Sequence, residues 1–195
     1  MEIINRVKNI LVAPKEEWAP IEAEQNPHAT ILTSYLLLLA LIPAACQFIG
    51  EGLIGHTVLG IHIGGNVSWG IRQAISSYIS TVGGVYLTAW VINLLAESLG
   101  STKDFDKAFA LVAYSFTPMC LAGVFHILPS LSVLALLAGL YGLYILYTGL
   151  KPMMKTPDKN HVAYFVVSLI AVFVLTAILT AVLGAILLSK SVGLF

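Results

Sequence analysis

Charge is what this sequence has least of. Only 10% of its 195 residues are Asp, Glu, Lys or Arg, whereas 58% are hydrophobic. A soluble domain carries about 25% charged residues, so an ordinary water-facing surface cannot be built from this chain. The formal net charge is zero, which argues against nucleic acid as a partner. Cysteine is scarce as well: Cys46 and Cys120 both fall inside apolar runs, where cysteine packs as a small apolar residue, and nothing in their placement predicts a disulfide. A secretory leader is not expected, since Glu2, Asn5, Arg6, Lys8 and Asn9 interrupt Met1–Leu11 and no apolar segment precedes a small-residue cleavage site. Also missing are a nucleophile–base arrangement, a phosphate-binding glycine loop and a carboxylate pair within an apolar run. Neither enzymatic chemistry nor a cofactor is therefore expected.

What the chain does have is apolar length. A helix needs about 20 apolar residues to cross the hydrocarbon core, and five runs qualify: 31–49, 71–96, 109–128, 131–150 and 164–188. Apart from Arg72 at the edge of the second, none holds a Lys, Arg, Asp or Glu. The expected fold is an all-α polytopic membrane protein, with an amphipathic segment over residues 1–28 and a five-span domain over 29–190. With the N-terminus in the cytoplasm, Arg6, Lys8, Lys15, Lys103, Lys107, Lys151, Lys155 and Lys159 all lie inside, and only Arg72 and Lys190 outside. Lys and Arg in short loops set orientation, so the N-terminus is expected in the cytoplasm and the C-terminus outside.

The N-terminal segment has a pattern of its own. Ile3, Ile4, Val7, Ile10 and Leu11 recur at helical spacing, with Arg6 and Lys8 among the polar residues opposite. Pro14 suits the first turn of a second short helix over 15–23. Trp18 on that helix, with Arg6 and Lys8 on the first, is expected to anchor the segment at the membrane interface, its apolar face in lipid or against the bundle. Alternation over 57–63 allows an extracytoplasmic hairpin, and Pro129-Ser130 a tight turn between spans three and four. Ser101 and Thr102 are suited to cap the third span, with Asp104 and Asp106 in its first turn. Small residues at i, i+4 spacing (Ser80 and Gly84, Ala135 and Gly139, Ala177, Ala181 and Ala185) predict close helix approach and an oligomer seam on the fifth span.

Three groups of polar residues carry whatever chemistry exists. In Ala113-Tyr114-Ser115-Phe116-Thr117-Pro118, Pro118 removes an N–H and crowds the carbonyl of Tyr114, which predicts a kink. Ser115 and Thr117 can satisfy the freed groups. On the second span Tyr86, Trp90, Asn93 and Glu97 share a face. Asn93 and Glu97 near the cytoplasmic end, with Lys103 or Lys107 as counter-charge, would form a polar cavity together with Tyr114, Ser115, Thr117 and Pro118. On the outer side Glu51, His56, His62 and His126 have metal-binding chemistry but no metal-site spacing.

Ala113-Tyr114-Ser115-Phe116-Thr117-Pro118, Phe125-His126-Ile127-Leu128-Pro129 and the run Leu140 to Leu150 (LYGLYILYTGL) resemble the Yip/YIPF family of five-span membrane proteins. Pro14 to Ile21 (PKEEWAPI) and Ile42 to Gly50 (IPAACQFIG) are similar to its bacterial branch, and the resemblance covers Ile10 to about Lys159. It implies five spans, a cytoplasmic N-terminus and the inner membrane of a bacterium. Eukaryotic relatives are associated with Rab-type GTPases. Their long acidic N-terminal region and Asp-Leu-x-Gly-Pro-like motif are missing here, which argues against a GTPase partner. The expected function is association with lipid, with itself as a homo-oligomer or with another membrane protein. The alternative is a small transporter or channel with its path near Asn93, Glu97 and the Pro118 kink.

Overall fold

The computed structural model describes the backbone of residues 3–58, 61–127 and 132–192, and the side chains of these except 56–58, 61–63, 132–133 and 179–192. Five helices in it are long and apolar enough to cross a membrane. They are His28–Ile54, Val67–Leu95, Phe105–Ile127, Ser132–Met154 and His161–Val192. All five expected spans are present. Most begin three or four residues earlier than hydropathy alone predicts, because the polar first turns (His28-Ala29-Thr30, Asp106-Lys107-Ala108) are helical too.

The spans alternate in direction, so the loops carrying most Lys and Arg gather at one end, the charged end. A two-stranded hairpin marks the other. Its strands, β1 (Gly55–Val58) and β2 (Ile61–Gly64), run antiparallel with Gly55 opposite Gly64 and Val58 opposite Ile61. The expected Pro129-Ser130 turn lies outside the described residues.

The third span is the hub. In its most apolar window 72% of residues are buried, against 11% in the fifth, which packs on the rim against spans two and four. Its N-cap is Asp104, whose side chain accepts from the Lys107 N–H at 3.1 Å. Ser101 and Thr102, the expected caps, instead tie the preceding turn to the end of span four. The Ser101 hydroxyl donates to Thr156 Oγ1 (3.0 Å) and the Thr102 N–H to the Met154 carbonyl (2.8 Å). A carboxylate is the better cap here, being both a strong acceptor and an anion at the positive helix end.

The predicted kink is present. The third span's first α-helical segment ends at Ser115 and a second starts at Thr117, with Phe116 between them. Helices approach most closely at glycines other than the expected small-residue stripes. A side chain at Gly142 would stand 2.8 Å from the Ser115 carbonyl, and one at Gly123 2.6 Å from Pro43. Beside Gly84 and Gly139, by contrast, there is open space. Ala177 is exposed, and the side chains of Ala181 and Ala185 lie outside those described.

The N-terminal segment forms two helices, α1 (Ile3–Val12) and α2 (Pro14–Glu24), with Pro14 in the expected first-turn position. They fold back on one another, and α2 packs along span four.

Candidate functional site

The α1–α2 hairpin enters the bundle from the charged end, where it meets spans one, three and four. Its corner goes deep: the Tyr141 hydroxyl of span four donates to the Leu11 carbonyl at 2.6 Å. Tyr141 lies thirteen residues from the end of that span at Met154, roughly 20 Å along the axis at 1.5 Å per residue. Counted from Leu150, the last residue of that span's apolar run, Tyr141 is nine residues in, roughly 14 Å, close to the middle of a hydrocarbon core about 30 Å thick. α1 does not simply turn the expected apolar face to the bundle, because Arg6 from its polar set is buried and Ile4 from its apolar set is exposed. Ile10 is buried, while Ile4, Lys8 and Val12 face outward.

Two expected interfacial anchors are interior groups. Trp18 is fully buried and its indole N–H donates to Thr148 Oγ1 at 3.2 Å. The room for it comes from Gly149, where a Cβ would stand 2.5 Å from the indole. Arg6 is only 3% exposed. One guanidinium nitrogen meets Glu17 at 2.5 Å and the other meets Glu24, while the guanidinium lies over the Tyr114 ring, 5.5 Å from its centroid. A buried cation demands such partners, since leaving it unpaired costs several kcal/mol. Lys8, the third expected anchor, is exposed.

Above this ionic cluster lies the kink. The Thr117 hydroxyl donates to the Tyr114 carbonyl at 2.6 Å, the carbonyl that Pro118 deprives of its helical partner. With its one proton so used, Thr117 Oγ1 accepts from the Tyr35 hydroxyl at 2.7 Å. Ser115 donates to the Leu111 carbonyl at 2.7 Å. The polar groups of the kink are thus satisfied among themselves and by span one.

Two polar cavities flank the hairpin and share Tyr114 as a wall. One, of about 280 Å³, lies between α2 and span three and includes Glu22, Asn26, Asp104, Asp106 and Lys107. The other, of about 230 Å³, lies between α1 and span one and includes Arg6, Glu24, Thr30, Ser34 and Tyr35. Around the first, Lys107 pairs with Glu22 at 2.7 Å, and His28 Nδ1 with Asp106 at 2.5 Å. The hydrogen bond and charge of Lys107 hold the Glu22 carboxyl below its ordinary value.

The structure does not gather all the residues expected to form a polar path. Tyr114 lines both polar cavities, and Ser115, Thr117 and Pro118 are buried at the kink. Asn93 and Glu97 line neither cavity. Asn93 Oδ1 is buried without a hydrogen-bond partner, and Glu97 is exposed, facing Lys103 at 3.6 Å. Tyr86 packs on Phe109 with centroids 4.8 Å apart, whereas Trp90 on the same helix is half exposed at the bundle's outer surface. Helical spacing put these four on one stripe, but neighbours cover only part of it.

At the hairpin end Glu51 lies in a wide π-helical turn, and its carbonyl accepts from the Asn66 N–H at 3.2 Å. His126 Nδ1 is buried without a hydrogen-bond partner. The side chains of His56 and His62 lie outside those described. Among the described residues no three His, Cys, Asp or Glu side chains gather in a metal-binding group, and Cys46 and Cys120 are free thiols. A third cavity of about 700 Å³, lined mainly by apolar groups, opens here between spans two and four.

Sequence reasoning missed Glu17, Glu24 and Tyr35. A usable signal existed for the first two: they stand seven residues apart, on one face of α2, and Arg6 is the one cation on α1 that a reversal at Ala13-Pro14 brings opposite them.

Comparison with known proteins yields one match. The Yip1 domain family model matches residues 8–181, most of the chain. The chain therefore belongs to the Yip1 domain family. No curated protein and no solved structure matches it.

Proposed function

We propose that this Yip1 domain protein is a multi-pass protein of a bacterial inner membrane, with its N-terminus in the cytoplasm and its C-terminus outside. In this reading it works without enzymatic chemistry and without a GTPase partner, by associating with lipid, with a second copy of itself or with another membrane protein. The concentration of Lys and Arg at the charged end supports that orientation.

The observation that carries the association reading is how the polar groups inside the bundle are used. Arg6, Glu17 and Glu24 pair with one another, and Tyr35, Thr117 and Tyr114 close a chain of hydrogen bonds at the kink. A transport path needs polar groups left free for a solute at successive depths. Here both polar cavities stop at Tyr114, and the space beyond the kink is lined mainly by apolar groups.

Reconstitution in liposomes tests this. Ion and small-solute flux no greater than in protein-free vesicles is expected. Flux that disappears in Glu97→Gln and Asn93→Ala would favour a transporter instead. Orientation is read by thiol labelling of a Lys103→Cys variant on a cysteine-free background, with reaction expected only from the cytoplasmic side.

A further inference from the structure

The third cavity is a lateral recess in one leaflet. Its back is the outer half of span three, from Phe116 to His126, and its sides are Ser80 on span two and Gly139 and Leu140 on span four. None of the described residues of α1, α2 or span five lines it. Its volume, about 700 Å³, falls within the range of roughly 300–1,000 Å³ typical of small-molecule sites. Its depth singles out the occupant. Ten residues separate Phe116 from His126 and eight separate Ala135 from Leu143, so at about 1.5 Å per residue the recess runs roughly 12–15 Å along the helices. That is half of a hydrocarbon core about 30 Å thick, or one leaflet. A spanning helix of a second copy would need a groove about twice as long. Even with the small apolar cavity that continues past the kink to Leu146, the groove runs eleven residues of span four from Ala135, roughly 17 Å. Among the described residues that line the recess, one buried polar atom lacks a hydrogen-bond partner, His126 Nδ1. It sits at the hairpin end, where lipid ester groups lie, and an unpaired buried nitrogen there gains from an ester carbonyl.

We propose that this recess binds one acyl chain of a membrane lipid from the hairpin-end leaflet, its tail running to the kink and its ester carbonyl accepting from His126 Nδ1–H. The assignment deepens the association reading by naming its ligand class. The small residues at Ser80 and Gly139 then have a purpose that packing within the bundle does not supply: they leave width for a hydrocarbon chain.

The test is photolabelling in phosphatidylglycerol–phosphatidylcholine liposomes that contain a phosphatidylcholine with a diazirine partway along one acyl chain. Label is expected to concentrate on lining residues such as Met119 and Leu140. Filling the recess with Gly139→Trp should lower that labelling about tenfold. Gly83→Trp, on a different face of span two and also in open space, should leave it unchanged. Ala135→Trp serves as a second filling variant if Gly139→Trp does not fold, and His126→Leu should weaken labelling severalfold. Uniform labelling around the bundle, or equal labelling in Gly139→Trp and Gly83→Trp, overturns the site. So does efficient Leu140→Cys cross-linking between two copies, which would give the recess to a second protomer. These outcomes are independent of the flux measurement, which alone decides between association and transport.

Discussion

The two ends of this bundle are built on opposite terms. At the charged end the polar groups of α1 and α2 that enter the apolar core are matched, Arg6 with Glu17 and Glu24, Trp18 with Thr148 and the Leu11 carbonyl with Tyr141, although Asn93 Oδ1 on span two has no partner. At the hairpin end the interior is apolar and stands open, with room beside Gly139 and an unpartnered His126 nitrogen. Lipid explains the contrast. An apolar helix face gains little by leaving acyl chains for another apolar face, so nothing forces spans two and four together. A polar group at the same depth has no such alternative and must find a protein partner. Polar pairing fastens α1 and α2 to an otherwise apolar core.

That contrast can be broken in graded steps. Arg6→Met leaves Glu17 buried without its cation and should cost about 3–5 kcal/mol of stability, measured by denaturant unfolding in detergent. Arg6→Met with Glu17→Leu should recover most of it, and a single variant as stable as the parent would remove the ion pair from the account. Gly149→Leu, forced against Trp18 and Leu111, should lose about 1–3 kcal/mol through overpacking. Tyr35→Phe gives up one buried hydrogen bond to Thr117, at a cost of about 1 kcal/mol.

The Glu22–Lys107 pair should register as a small acid-side effect. The Glu22 carboxyl titrates below its ordinary value because of Lys107, so its contribution is complete above the usual carboxylate range. It is lost as pH falls through the lowered value. Stability measured against pH should lose that limb in Lys107→Met. Smallest of all, Gly139→Leu at the open end should stay within about 0.5 kcal/mol of the parent. A large loss there would mean that the two ends are not so different.

The parts legible in the sequence follow the same division. Span number, hairpin and kink came from apolar length, alternation and proline, which act locally. The Thr117 rescue of Tyr114 was legible for that reason, being a contact within one helical turn. The burial of Arg6 was not, because amphipathic spacing gives a polar face without saying what it meets. An interfacial helix and an inserted one have the same pattern until the reversal at Pro14 brings Glu17 and Glu24 alongside. Asn93 and Glu97 misled for the complementary reason: their shared stripe was real, but which part of it neighbours cover depends on spans far away in the chain.

The deep seat of the α1–α2 hairpin also sets an order of events during synthesis. Its two anchoring hydrogen bonds, Leu11 to Tyr141 and Trp18 to Thr148, each join residues 130 positions apart. At about 5–20 residues per second the ribosome needs roughly 6–26 s to bridge that interval. The α1–α2 hairpin is therefore made well before span four, the element that it docks against. In the meantime Arg6, Glu17 and Glu24 have no cavity to enter, and an amphipathic α1 is suited to wait on the membrane surface. The amphipathic pattern suits a surface-lying helix as well as an inserted one, and the finished fold has the inserted hairpin.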